Sequence, residues 1–258
     1  MDMKLVRLHI EPPLAVIKMM DPAGNYITVR LKEELLEAFQ AAASDRRVRA
    51  VVLEGLPSVY SAGAPSEVLL SASGAETTDA GLELVHAPLN CPVPVVAAAQ
   101  GHAIGGGLYL ALYCDVAVLS ERSLYGVPFL GLGFTPSLGG TFIVPERLGR
   151  SLGMEMLLTS RKYRGAELGR RGAGVAVTRH DRVQACALAT AERIAVAPRR
   201  TLELFKRQTA NETRTAALAA MQLERPGHDA TIRSAEGKRQ IAENHPAPSF
   251  MGAVERRV

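Results

Sequence analysis

The sequence is poor in the residues that staple small or secreted proteins: among 258 residues there is no tryptophan, and there are only three cysteines. Cys91, Cys114 and Cys186 are odd in number and widely spaced in apolar surroundings. That pattern excludes a disulfide framework and a zinc site, and fits reduced thiols. No metal ligation is expected. No apolar run approaches membrane-spanning length, so no membrane partner is expected. The opening Met1-Asp-Met-Lys4 lacks the regions of a secretory signal, and the expected location is cytoplasmic. Basic residues are missing altogether from Ala50 to Glu121. They gather instead at Arg147, Arg150, Arg161, Lys162, Arg164, Arg170, Arg171 and Arg179, within a net charge of +4. A basic second half can meet a nucleotide-bearing cofactor or an acidic protein. Aromatics are only 5% of the chain and no nucleic-acid motif is present, so nucleic acid is not an expected partner.

What is present is a hydrophobic fraction of 47%, enough chain for a large core, and an alternation of strand and helix patterns. Leu5–Ile10 and Leu14–Met19 read as strands, and Leu31–Ala43 has apolar residues at helical spacing. Arg49–Gly55 reads as a buried strand, Pro57–Gly63 as a loop, and Ala64–Leu70 as a turn or two of helix. Ser71–Asp79 is small and polar, the expected mobile segment, before a helix from about Ala80 to Leu89. The apolar run Val93–Ala99 predicts a buried strand, Gln100–Gly107 a glycine loop, and Leu108–Tyr113 a helix. Asp115–Leu119 is the next strand, Gly131–Gly140 a glycine-rich loop, and Thr141–Leu148 the start of a helix. Helical patterns dominate the remainder, with one short apolar run at Gly174–Val177. This order predicts an α/β core followed by a helical C-terminal region.

In βαβ units the strand C-terminal ends share one edge of the sheet, where ligands bind. The loop carrying Tyr60-Ser-Ala-Gly-Ala64 and the loop carrying Gly105-Gly-Gly107 should therefore face one site. Three consecutive glycines let a ligand approach bare main chain, and the first amides of the next helix lack intrahelical acceptors. One backbone N–H from each loop can converge on a single oxygen and stabilise an enolate or a tetrahedral oxyanion. The residues alone reach acyl-group chemistry with a developing oxyanion.

Val59-Tyr-Ser-Ala-Gly-Ala64, Pro92 through Gly107, Cys114-Asp-Val-Ala-Val118 and Gly133-Phe-Thr-Pro-Ser-Leu-Gly-Gly-Thr141 together resemble the enoyl-CoA hydratase/isomerase (crotonase) superfamily. The resemblance covers nearly the whole chain, with the motifs in order. It implies the crotonase fold of stacked ββα units, a spiral core over residues 1–195, and a helical C-terminal region over 196–258 used in trimer or hexamer assembly and site closure. It also implies a thioester on coenzyme A or an acyl carrier protein, no further cofactor, and an oxyanion hole made by the amides of Ala62 and Gly106.

Hydratases of the superfamily activate water with two glutamates. The matching positions here are Tyr109 and, after Gly126-Val-Pro128, Phe129. Aromatic rings cannot serve as general base near neutral pH, so hydration is not expected. Gly131-Leu-Gly-Phe-Thr-Pro136 with an aromatic at the second acid position looks like the decarboxylating crotonase homologues of polyketide β-branching. That resemblance implies loss of CO2 from a 3-methylglutaconyl thioester, a dienolate in the oxyanion hole, and protonation to a 3-methylcrotonyl-type product. The matching histidine is His228; Tyr60, Ser66, Tyr109 and Phe129 are the expected substrate-binding side chains. A lysine common after the first loop is absent from Pro65–Ala72, leaving His228 alone or a hydroxyl such as Ser66 to orient the carboxylate. Pro226-Gly227 is expected to break or kink the helix just before His228. An enoyl-thioester isomerase, or a silent crotonase that binds a carrier protein, are the alternative functions.

Overall fold

The buried runs of the sequence alternate strictly in which face they present. The computed structural model describes residues 4–71 and 81–245. The expected polar loop after Ser71, and Ala80, lie outside the described residues. Strands β1 (Val6–Glu11) and β2 (Leu14–Met19) form an antiparallel hairpin. Helix α1 (Val29–Ser44) follows, started by the Thr28 hydroxyl, which accepts from Leu31 N–H at 3.2 Å. Then come β3 (Ala50–Glu54), β4 (Val59–Ser61), α2 (Ser66–Leu70), helical residues 81–85, and α3 (Ala87–Asn90). The next turn is β5 (Val95–Ala99), β6 (His102–Ile104) and α4 (Gly106–Leu112), and the third begins with β7 (Val116–Ser120) and β8 (Leu124–Gly126).

Helices α5 (Gly140–Leu148) and α6 (Arg150–Thr159), strand β9 (Tyr163–Arg164), α7 (Gly165–Arg170) and β10 (Ala176–Thr178) lead to α8 (Val183–Ile194), the long α9 (Arg199–Ile232) and α10 (Ala235–Asn244). The large sheet has the order β1-β2-β3-β5-β7-β10, parallel from β2 onward; the small sheet has the order β4-β6-β8-β9. Each turn thus lays one strand in each sheet, the stacked ββα arrangement. The expected loops Pro57–Gly63 and Gln100–Gly107 are corrected: each contains a three-residue strand, β4 and β6. Such strands are too short to carry a periodicity, and β8 and β9 escape the sequence for the same reason.

Both faces of the large sheet are covered. Val51, Leu53, Val95 and Ala97 face the main core, while Ala50, Val52, Val96 and Ala98 pack against Val183, Ala187 and Ala191 of α8. Burial on both sides explains the continuous apolar runs. Burial also pushes the Cys91 thiol up to about 11, as expected of an inert core cysteine.

Helix α9 crosses the whole core and is pinned along its length. Arg199 donates to the carbonyls of Ala43, Asp45 and Val48 at the end of α1. Lys206 pairs with Asp115, and Arg214 donates to Leu89 O and Asn90 Oδ1. The buried Glu224 carboxylate accepts from Gly139 N–H (2.9 Å), Thr141 N–H (2.7 Å) and the Thr141 hydroxyl (2.6 Å). The expected break at Pro226-Gly227 does not occur; Pro226 lies inside the helix. Tertiary bonds on either side of it, at Glu224 and at His228, hold the turn that the missing proline N–H would otherwise support.

The basic cluster is largely engaged internally. Arg147 donates to Leu112 O and Cys114 O, Arg161 pairs with Glu167, Arg164 donates to Arg122 O, and Arg171 pairs with Glu155. No helix of the described residues is long and apolar enough to cross a membrane.

Candidate active site

The first loop is set by a buried asparagine between β2 and α1. The Asn25 amide donates to Met19 O (3.3 Å), Val59 O (3.3 Å) and Tyr60 O (3.0 Å), tying the end of β2 to β4. Residues 24–27 then run beside residues 61–63. Ala62 N–H donates to Gly24 O at 3.0 Å and Ile27 N–H to Gly63 O at 2.9 Å. The expected donor Ala62 is therefore corrected: its amide is already engaged. The next free amide in the loop is that of Ala64, two residues on, which has no acceptor among the described residues.

The second loop meets it at a glycine. Gly63 has φ +80°, and a Cβ there would sit 2.6 Å from Ile104 O and 3.5 Å from the Gly106 nitrogen. Only glycine allows both the left-handed backbone and this approach. Gly106 is the first residue of α4, so its N–H has no intrahelical acceptor, and none is found elsewhere among the described residues. Ala64 and Gly106 both border a cavity of about 420 Å³.

The walls of this cavity are mainly apolar, including Ile27, Leu69, Phe129, Phe134 and Leu138, and no Asp or Glu is among its described lining residues. Phe129 and His228 stand where the sequence places them, on the wall. Tyr60, Ser66 and Tyr109 do not line it. Tyr60 and Tyr109 are fully buried, and Ser66 opens α2 without being among the lining residues. Tyr109 packs edge-on against Phe129 at 5.8 Å, so the ring at the second acid position covers the ring at the first. Burial holds the Tyr109 phenol well above its ordinary range, and its hydroxyl has no hydrogen-bond partner among the described residues.

His228 is 7% exposed, its Nδ1 is 2.7 Å from Thr135 O, and its ring stands edge-on to Phe134 at 5.7 Å. A carbonyl only accepts, so Nδ1 carries a proton and Nε2 is the nitrogen left for chemistry. Thr231 Oγ1 accepts from Thr135 N–H at 3.1 Å, fixing the same residue from the next turn of α9. His102 has a structural place, its Nδ1 accepting from Leu124 N–H at 3.0 Å. Two lining residues were not legible in advance. Lys32 comes from α1, with Nζ 3.1 Å from Glu83 Oε2, and His245 follows α10 and donates from Nε2 to Ala64 O at 3.1 Å. Both come from segments remote in sequence from the glycine loops, in patterns typical of solvated helix faces.

Two sheets of mainly parallel strands, two loops whose free amides border one cavity, and a C-terminal helix that brings His228 to its wall make up the candidate site. The enoyl-CoA hydratase/isomerase family profile matches residues 9–250, and the chain belongs to that family. It is similar to the bacillaene synthase decarboxylase PksI of Bacillus subtilis (strain 168), at 34% identity over 235 residues, 91% of this chain and 94% of that one. A solved structure from a dehydratase/decarboxylase enzyme couple involved in polyketide β-branching superimposes with a TM-score of 0.88 at 34% identity, covering 93% of this chain and 99% of the other. The ECH2 decarboxylase domain of CurF from Lyngbya majuscula gives 0.85 at 31% identity, covering 93% and 99%.

Proposed function

We propose that the protein decarboxylates a 3-methylglutaconyl-type thioester, carried on the phosphopantetheine of an acyl carrier protein or on coenzyme A, to a 3-methylcrotonyl-type thioester. One observation carries the reading: Ala64 and Gly106, whose amides have no acceptor among the described residues, border one cavity, and no carboxylate is among its described lining residues to activate water. The decarboxylases PksI and CurF ECH2, at 34% and 31% identity, support it.

In this reading the thioester oxygen accepts from the N–H groups of Ala64 and Gly106. The bond to the distal carboxyl carbon breaks, CO2 leaves, and the electron pair spreads into a dienolate whose oxygen charge the two amides hold. Removing one such donor typically costs a factor of about 10²–10³. The reaction consumes one proton. With Nδ1–H held on Thr135 O, the protonated His228 ring delivers it from Nε2 and recovers it from solvent. Phe129 and Phe134 keep that surface dry. The family's trimeric or hexameric assembly belongs to the same proposal.

The test is incubation with the carrier-bound 3-methylglutaconyl thioester, with the acyl group followed by mass spectrometry. The expected result is loss of CO2 and a rate at least about a hundredfold lower in His228→Ala. Intact substrate under conditions where PksI consumes it would remove the assignment. Turnover of an enoyl thioester that has no carboxylate would establish an isomerase instead. Tight carrier binding with no turnover of either would establish a silent binding protein.

A further inference from the structure

We infer that Lys32 of α1 is the residue that holds the substrate's free carboxylate and so selects a dicarboxylic acyl group. The inference rests on the decarboxylase reading above. The residues after the first loop, 65–71, contain no Lys or Arg, so the charge must come from another element. Lys32 is the fixed positive charge among the described residues that line the cavity, and no Asp or Glu is among them to repel a substrate carboxylate. A carboxylate left unpaired among Ile27, Val68, Val85 and Leu138 would lose its hydration without compensation.

The position of Lys32 suits the reach of the substrate. Ile27 is at the hole, its Cδ1 2.9 Å from where a Cβ on Gly106 would stand, and α1 begins two residues later. At 1.5 Å rise per helical residue, Lys32 lies about 5–8 Å further along, roughly the separation of the two carboxyl groups in a five-carbon diacid. The first turn of α1 holds no acidic residue, so the helix end adds to the positive potential there. The present partner of Lys32, Glu83, has a side chain 58% exposed at the rim, against 20% for Lys32. Such a rim pair is weak, and an ammonium has three donors, so a substrate carboxylate can join or replace Glu83 at little cost. His228 is then left to the proton alone.

The experiment compares wild type with Lys32→Gln and Lys32→Arg. Decarboxylation is measured on the carrier-bound thioester and on its N-acetylcysteamine thioester, which has no phosphate. Binding is measured by calorimetry for the saturated 3-methylglutaryl thioester and for its methyl ester. The expected result is a loss of about thirtyfold in kcat/KM for Lys32→Gln on both thioesters, the size of one charged hydrogen bond, with partial recovery in Lys32→Arg. The diacid analogue should bind Lys32→Gln correspondingly more weakly, and the methyl ester equally well. Equal binding of the diacid by wild type and Lys32→Gln would overturn the inference, as would a loss confined to the phosphate-bearing thioester, which would assign Lys32 to the pantetheine phosphate. A wild type that prefers the diacid analogue through Lys32 but releases no CO2 would reject the proposed reaction and retain this contact.

Discussion

Ala62 and Ala64 are both small, both in the first loop and both beside the cavity, yet one amide is bound to Gly24 O and the other is free. In an extended segment amides two residues apart point the same way. The left-handed turn at Gly63, the residue between them, breaks that register, so one N–H is bound and the other is left free. A methyl group at this position would stand 2.6 Å from Ile104 O, in a backbone conformation that alanine rarely adopts. Gly63→Ala is therefore expected to push the two loops apart and lower kcat/KM by roughly 10²–10³, the cost of one misplaced oxyanion donor. The melting temperature should fall by only a few degrees, because the strain is confined to one loop. Steady-state kinetics beside a thermal scan check this. Unchanged kinetics would mean that the gap between Gly63 and Gly106 does not govern the hole.

At the level of elements, α9 shows how tertiary bonds override local signals. Proline inside a helix costs about 3 kcal/mol or more through its missing N–H and its clash with the preceding turn, which is why the sequence reads as broken at Pro226. The helix continues because Glu224 binds the start of α5 and His228 binds Thr135 across the same stretch. Glu224→Gln removes the negative charge that three donors share and is expected to destabilise the protein by about 1–3 kcal/mol. Because His228 is one turn further along, the decarboxylation rate should fall as well. Pro226→Ala, by contrast, restores a backbone donor and should raise the unfolding midpoint with the rate unchanged. Urea titration and kinetics on the two variants separate these outcomes. A rate loss in Pro226→Ala would show that the proline itself aims His228. The same contrast explains what could be read from the chain. Long features such as Val95–Ala99 and α1 announce themselves through runs and periodicity. The strands of the small sheet, at three residues or fewer, and the approach of Lys32 and His245 to the cavity depend on contacts between distant segments and leave no local pattern.

For the molecule as a whole, the question is how the C-terminal helices stay docked on the spiral core, since the cavity needs both. One joint lies where α9 meets α3. Arg214 donates there to Leu89 O and Asn90 Oδ1, and the buried His86 ring stacks edge-on against Tyr113 at 4.5 Å. Burial, with the positive charge of Arg214 beside it, lowers the His86 pKa to about 4. The unfolded chain binds this proton with a pKa near 6.5. Above that pH both states are neutral at His86 and the group contributes nothing to the pH dependence. Between about 6.5 and 4 the unfolded state holds the proton and the folded state does not, so stability falls as pH falls. At one pKa unit per 1.36 kcal/mol the full effect is about 3 kcal/mol. Wild type should therefore lose about 2–3 kcal/mol more than His86→Leu when urea unfolding is compared at pH 7 and pH 4.5. Carboxylates held low by arginine partners, such as Asp45 and Glu155, are common to both proteins and cancel in the difference. Equal losses in the two proteins would show that His86 takes up its proton without disturbing the joint. The expected difference would make this joint the point at which acid loosens the helix that carries His228 and Ile232 to the cavity.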